Sequence, residues 1–188
     1  DVVGQLTGGV AFLFKKNKID TFTGHGTILT TTSVEVVKDD GSKETVEAKK
    51  ILIATGSKPI SIPGVDIDKK NIVDSTGALE FTEVPKHLVV IGAGVIGLEL
   101  GSVWSRLGAE VTVLEYMPKV LGNSDTEVAK TAKKIFTKQG IKFLMEARVT
   151  GATPEGDIVK VTYEDKAGES HTIEGDKLLV AVGRKAYT

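Results

Sequence analysis

Two short stretches carry residue types that could do chemistry. Gly92-Ala93-Gly94-Val95-Ile96-Gly97, within "LVVIGAGVIGLELG", has the spacing G-x-G-x-x-G, and Glu115 ends the next apolar run, "EVTVLE". The chemistry such a loop supports is binding. Its first glycine permits a tight turn, its second removes a side chain where a pyrophosphate must approach, and its third lets a helix pack close to its strand. The helix start then offers unpaired N–H groups and the positive end of its dipole to phosphates. In a chain with 21 glycines the pattern alone is weak. A strand before it, a helix after it and an acid about 20 residues on make it the dinucleotide fingerprint. A carboxylate at that strand end accepts hydrogen bonds from ribose hydroxyls and repels a 2′-phosphate, and "EYMPKV" has no arginine to clamp one. NAD is therefore favoured over NADP, with Lys119 as the one opposing cation.

Glu99 lies two residues beyond the last fingerprint glycine, in the apolar helix "VIGLELGSVW", with no cation in the neighbouring turns. Two readings stay open. It is an early-turn acid complementing the helix dipole, or an acid directed along the cofactor toward its nicotinamide end.

Other chemistries are poorly supplied. The chain has no cysteine, which removes disulfides, thiolate ligands and thiol nucleophiles. His25, His87 and His171 are too scattered to read as a metal cluster, so no metal site is expected. Any reaction here is a cofactor's, and the protein contributes binding and orientation. With 40% apolar residues, 26% charged and a net charge of -1, the composition is that of a globular protein without the basic excess of a nucleic-acid or anionic-membrane binder. No apolar run approaches the ~20 residues of a membrane span. The opening "DVVGQLTGG" has neither an initiator Met nor a signal pattern and reads as a sequence entered midway.

These residues need elements to position them. Val3, Leu6, Val10, Leu13 and Phe14 fall at helical spacing, and a short strand is expected at 19–22. "SVEVVKDDGSKETVEAKKILIATG" reads as strand, Asp-Gly turn, strand and a buried run at 51–54, followed by a Pro- and Gly-containing loop at 58–64. Strand 88–91, helix 97–107 and strand 111–114 make one βαβ unit. Asp125 opens a further helix, Gly140 occupies a C-terminal cap position, and 141–144 forms a third parallel strand.

The segment "IVKVTYEDKAGESHTIEGDKLLVAVG" then repeats the earlier hairpin. Without a gap, Val34 falls on Val161, Gly41 on Gly168, Thr45 on Thr172, Glu47 on Glu174, Lys50 on Lys177 and Gly56 on Gly183. Such a run of identities points to an internal duplication. The second copy is preceded by its glycine fingerprint; the first is not, and its own loop is expected upstream of Asp1. The chain thus reads as a piece of a longer protein with two nucleotide-binding domains, one interrupted by the other.

"ILIATGS" followed by a proline loop, "STGALEFTEVPKHLVVIGAGVIGLELGSVWSRLGAEVTVLE", and "LLVAVGR" occur in the order seen in the disulfide oxidoreductase flavoproteins, and the chain resembles that family end to end. Within it the long central string is most similar to the dihydrolipoamide dehydrogenase branch. The resemblance implies an α/β fold: a Rossmann-like βαβ NAD-binding domain with a β-meander, at 81–183, inserted in an incomplete FAD-binding domain of the same type, at 1–80 and 184–188. It places NAD at Gly92, Ala93, Gly94, Val95, Ile96, Gly97, Leu98, Glu99, Glu115, Val149 and Gly183, with Glu99 near the contact of flavin and nicotinamide. It places FAD at Gly26, in "GHG", and at Thr55, Gly56 and Ser57.

The family's redox cysteine pair, its His-Glu pair from a partner subunit, the FAD phosphate loop and the acid that holds the flavin ribitol are not in this sequence, so no catalytic residue is expected in the chain. The resemblance further implies oxidation of dihydrolipoamide carried by lipoyl domains of 2-oxo acid dehydrogenase complexes or of the glycine cleavage system. It also implies a homodimer in the full-length form, and a location in a bacterial cytoplasm or a mitochondrial matrix. The 188 residues alone are expected not to turn over. Another flavin disulfide reductase, an NADH oxidase and a free-standing NAD-binding module remain open as alternatives.

Overall fold

In the computed structural model, which describes residues 1–188, the apolar N-terminal run forms α1 (Val2–Lys16), capped by the Asp1 side chain, which accepts the Val3 N–H at 3.0 Å. The chain divides into two compact units, Asp1–Ala54 and Thr55–Thr188. In the first unit, β1 (His25–Thr30), β2 (Ser33–Val37) and β3 (Lys43–Glu47) form an antiparallel sheet in chain order. The strand expected at 19–22 is not there: Ile19 and Phe22 are exposed, and ladder pairing begins only at His25, opposite Val37.

The second unit contains β4 (Ser57–Pro59), β5 (Ile72–Val73), α2 (Ser75–Leu79), β6 (His87–Ile91), α3 (Val95–Leu107), β7 (Glu110–Glu115), α4 (Thr126–Lys138), β8 (Lys142–Met145), β9 (Arg148–Glu155), β10 (Ile158–Glu164), β11 (Ser170–Gly175), β12 (Lys177–Val180) and β13 (Arg184–Ala186). Its centre is a parallel five-stranded sheet in the order β5-β12-β6-β7-β8. The run "LVVI" of β6 is uninterrupted by polar residues because both faces of the sheet are covered. Leu88, Val90, Val111, Val113 and Leu179 face one core with Leu98 and Trp104 of α3, Ala78 of α2 and Ala129 of α4. Val89, Ile91, Leu178 and Val180 face the other core with Val159 and Val161 of β10. The fold is therefore a three-layer, Rossmann-like α/β arrangement in which helices cover one face and the antiparallel meander β9-β10-β11 covers the other.

Local chemistry agrees with these elements. Buried Trp104 donates its indole N–H to the Ala78 carbonyl at 3.2 Å and packs on Phe81 with ring centres 5.4 Å apart, fastening α3 to α2. Asp125 caps α4, accepting the Glu127 and Val128 N–H groups, and these bonds hold its carboxyl below the usual aspartate range. Gly140 follows α4 with φ +98°, the left-handed position for which glycine is suited.

The repeat survives in the geometry. Val34 pairs with Val46 and Val161 with Ile173; Glu35 pairs with Thr45 and Thr162 with Thr172. The connecting turns match bond for bond. Lys38 N–H donates to the Ser42 carbonyl and Gly41 N–H to that of Lys38, as Asp165 does to Glu169 and Gly168 to Asp165. Gly41 and Gly168 have φ +80° and +83°.

Where the copies part, tertiary context decides. Residues 178–180 form β12, with parallel neighbours β5 and β6, and Leu179 is 0% exposed. The matching run 51–54, expected to be buried, is irregular, and Leu52 is 90% exposed. Within Asp1–Ala54 no strand lies parallel to it, so its N–H and C=O groups have no ladder to join.

In the 188-residue chain, Leu179→Ala should lower unfolding free energy by about 2–5 kcal/mol through cavity formation. Its counterpart Leu52→Ala should change it by less than about 0.5 kcal/mol. Denaturant titration of both variants is the check; equal losses would mean that Leu52 is packed as Leu179 is.

Candidate functional site

The C-terminal ends of β6, β7 and β12 open on one cleft of about 690 Å³, lined by Ile91, Gly92, Leu114, Glu115, Val180 and Gly183 among others. Helix α3 leads from β6 to β7 on one side, while β12 lies against β6 on the other, so the cleft sits where the strand order reverses. Open α/β sheets bind ligands at this place, because strand ends and helix starts converge there.

The loop between β6 and α3 has its shape for two different reasons. Gly92 has φ +105°, and a Cβ on it would lie 2.5 Å from the Ala181 carbonyl oxygen beside β12. A Cβ on Gly97 would collide with the Gly92 carbonyl oxygen. Both glycines are demanded by the protein's own backbone. Gly94 is not: its φ is -79°, and a Cβ there would meet nothing within 4 Å. The space beside Gly94 belongs to the cleft, which Gly94, Val95 and Ile96 line. Gly94 is also the N-cap of α3 and provides no side-chain cap, so the first-turn N–H groups are left for a ligand oxygen. An empty position beside exposed donors at a helix start fits a pyrophosphate.

Glu115, half-buried at the end of β7, lines the same cleft. Its Oε2 accepts the Ala93 N–H and its Oε1 the Met117 N–H, both at 2.7 Å. Lys119 also lines the cleft, but its ammonium donates to the Ser124 carbonyl at 2.8 Å, which commits it to its own turn. Arg148 pairs with Glu164 at 3.3 Å on the surface, and Arg184 donates to the hydroxyl and carbonyl of Ser57 at 2.8 and 2.6 Å.

The residues singled out from sequence divide into groups. Gly92, Gly94, Val95, Ile96, Glu115, Val149 and Gly183 line the cleft together. Ala93 is buried beneath it, bonded through N–H to Glu115 and through its carbonyl to the Leu121 N–H at 2.8 Å. Gly97 and Leu98 lie inward, Leu98 in the core with its N–H bonded to the Gly94 carbonyl. Glu99 is exposed and is not among the cleft-lining residues. Thr55, Gly56 and Ser57 are exposed at and before β4, which pairs with β13. Gly26 is an exposed residue of β1 in the first unit, paired with Val36.

Several lining residues carried no signal in the sequence, among them Ser75 at the start of α2, Met117, Leu121 and Arg148. No helix is long and apolar enough to cross a membrane.

The sequence pattern described as "Pyridine nucleotide-disulphide oxidoreductase" matches residues 1–188. The chain is 51% identical over 187 residues to dihydrolipoyl dehydrogenase 3 of Pseudomonas putida, covering 99% of this chain and 40% of that protein. It is 53% identical over 188 residues to mitochondrial dihydrolipoyl dehydrogenase of Caenorhabditis elegans, covering 99% and 38%. Among solved structures, LpdA from Mycobacterium tuberculosis superposes with a TM-score of 0.86 at 26% identity, over 97% of this chain and 40% of that one. The chain thus spans about 40% of the length of the curated relatives it matches.

Gly94→Val is expected to abolish dinucleotide binding while lowering thermal stability by no more than the loss of a favourable N-cap residue, because the added Cβ enters cleft space and meets no protein atom within 4 Å. Gly97→Ala should instead lower stability, since its Cβ meets the loop backbone. Calorimetric titration with NADH beside thermal melts separates the two; undiminished NADH affinity in Gly94→Val would sink the pyrophosphate assignment.

Proposed function

We infer the function from one premise: the chain belongs to the pyridine nucleotide-disulphide oxidoreductase family. On that premise it is the central part of an FAD-containing, NAD-dependent dihydrolipoyl dehydrogenase, with an NAD domain at 81–183, to whose sheet β5 adds an edge strand, and portions of an FAD domain at 1–80 and 184–188. The observation that carries the NAD assignment is the open position beside Gly94, at the uncapped start of α3. The pairing of β4 with β13 supports the domain division, because it joins residues 57–59 to 184–186 across the whole NAD segment.

Each residue's role follows from what it offers. Val95 and Ile96 present backbone N–H groups to the pyrophosphate, and the dipole of α3 favours its charge. Glu115 keeps lone pairs free for the adenine-side ribose hydroxyls, since a carboxylate has about four acceptor positions and two are occupied. The same charge disfavours a 2′-phosphate, and Lys119, tied to Ser124, does not offset it. Val149 and Gly183 line the cleft and limit where the dinucleotide can lie. Glu99 stands near the flavin-nicotinamide contact as an electrostatic contributor. Gly26, Thr55, Gly56 and Ser57 contribute backbone and hydroxyl contacts to FAD.

When bound, NAD accepts a hydride and FAD carries the electron pair from a cysteine disulfide–dithiol couple contributed by residues other than these 188, which contain no cysteine. The reductant is dihydrolipoamide on lipoyl domains of 2-oxo acid dehydrogenase complexes, and the whole protein acts as a homodimer. It works in the cytoplasm of a bacterium or the mitochondrial matrix of a eukaryote.

Parallel titration of the chain with NADH, NADPH and FAD tests the binding reading. NADH is expected to bind at least about tenfold more tightly than NADPH, a difference of about 1.4 kcal/mol. Equal affinity for the two nicotinamide cofactors would remove Glu115 from the ribose site, and no response to either would overturn the NAD assignment.

A further inference from the structure

Both carboxylate oxygens of Glu115 are bonded to the protein before any ligand is considered. Its two carboxylate oxygens accept the Ala93 and Met117 N–H groups at 2.7 Å, short bonds of the charge-assisted kind. Ala93 is 1% exposed, so in the native protein its N–H is shielded from solvent and has the carboxylate as its partner. The carbonyl of the same residue accepts the Leu121 N–H at 2.8 Å, and the preceding Gly92 N–H donates to the Leu114 carbonyl at 2.8 Å. The residue between the first two fingerprint glycines is thus held on both sides by β7 and the turn after it.

That turn is itself held against its preferences. Leu121 has φ +49°, an uncommon conformation for a branched residue, and Lys119 closes the turn onto Ser124. Tyr116 and Met117 at its start are exposed, so apolar burial does little to fix it there. Val120, buried in the core, anchors the middle of the turn, while at its start Glu115 is the one side chain bonded to both the glycine loop and the turn.

We propose that Glu115 is a positioning residue of the ligand-free protein: its carboxylate clasps the glycine loop, through Ala93, to the turn 116–124, through Met117, and so holds the loop in its binding shape apart from any contact with a ribose. The proposal rests on the NAD reading for the identity of the ligand, and on the observed bonds for the clasp. It follows that a cation placed at 115 to attract a 2′-phosphate would also take away the loop's acceptor, so cofactor preference and loop order are set by the same side chain.

The test has two arms, both in the full chain. In the first, amide hydrogen exchange of Ala93 and Met117 is followed without ligand in the native protein, Glu115→Gln and Glu115→Ala. The clasp predicts exchange at least tenfold faster at both amides in Glu115→Ala. Glu115→Gln, which keeps one carbonyl acceptor and nearly the same volume, should lose protection at one of the two amides, and it carries the test if the alanine variant fails to fold. In the second arm, affinities for NADH and for its analogue lacking both adenine-side ribose hydroxyls are compared in native and variant proteins. A positioning role weakens both ligands by a similar factor, at least tenfold; a ribose contact alone weakens only NADH. Native exchange rates in both variants, or a loss confined to NADH, would overturn the clasp. If the native protein binds neither dinucleotide, the NAD reading fails while the exchange arm still decides the proposal.

Discussion

The second unit depends on the burial of β6 between β12 and β7. Leu88, Val89 and Val90 are each 0% exposed, and they serve two cores at once, alternate residues facing the helices and the meander. A parallel strand can be this apolar only if both faces of the sheet are covered, which commits the chain to three layers. It also fixes where the strand ends lie. Ile91, Leu114 and Val180 arrive at one rim because β6 is in register with β7 and β12. The cleft is a consequence of that register.

The rim is finished by backbone more than by side chains. Gly92 and Gly97 are small because the chain itself passes close, beside Ala181 in one case and Gly92 in the other. Gly94 is small with nothing of the protein near it. A fingerprint of three glycines therefore mixes two constraints, one internal and one imposed by what the cleft holds. Glu115 likewise answers to both, since it bonds the loop and faces the cleft.

Much of this was legible from residue order. The Asp125 cap, the glycine after α4 and the repeated hairpin all appear where spacing placed them, because each is specified by neighbours within a few residues. The repeat is the clearest case: Gly41 and Gly168 adopt the same left-handed turn with the same backbone bonds. Of the site, the loop and its acid were legible since their chemistry needs fixed residue types. Ser75, Met117, Leu121 and Arg148 were not, because they reach the cleft from separate elements with no fixed spacing to the loop.

The hairpins, the glycine loop and the identity of the acid at the end of β7 follow from residue order alone, as local matters of turn chemistry and alternation. Which apolar runs became strands depended on packing in three dimensions. "ILIA" at 51–54 and "LLVA" at 178–181 are nearly the same sequence, yet Leu52 is 90% exposed and Leu179 is 0% exposed. A parallel strand has no hydrogen-bonding partner within itself, so its formation depends on neighbours that are distant in sequence, and β5 and β6 supply them for only one of the two runs.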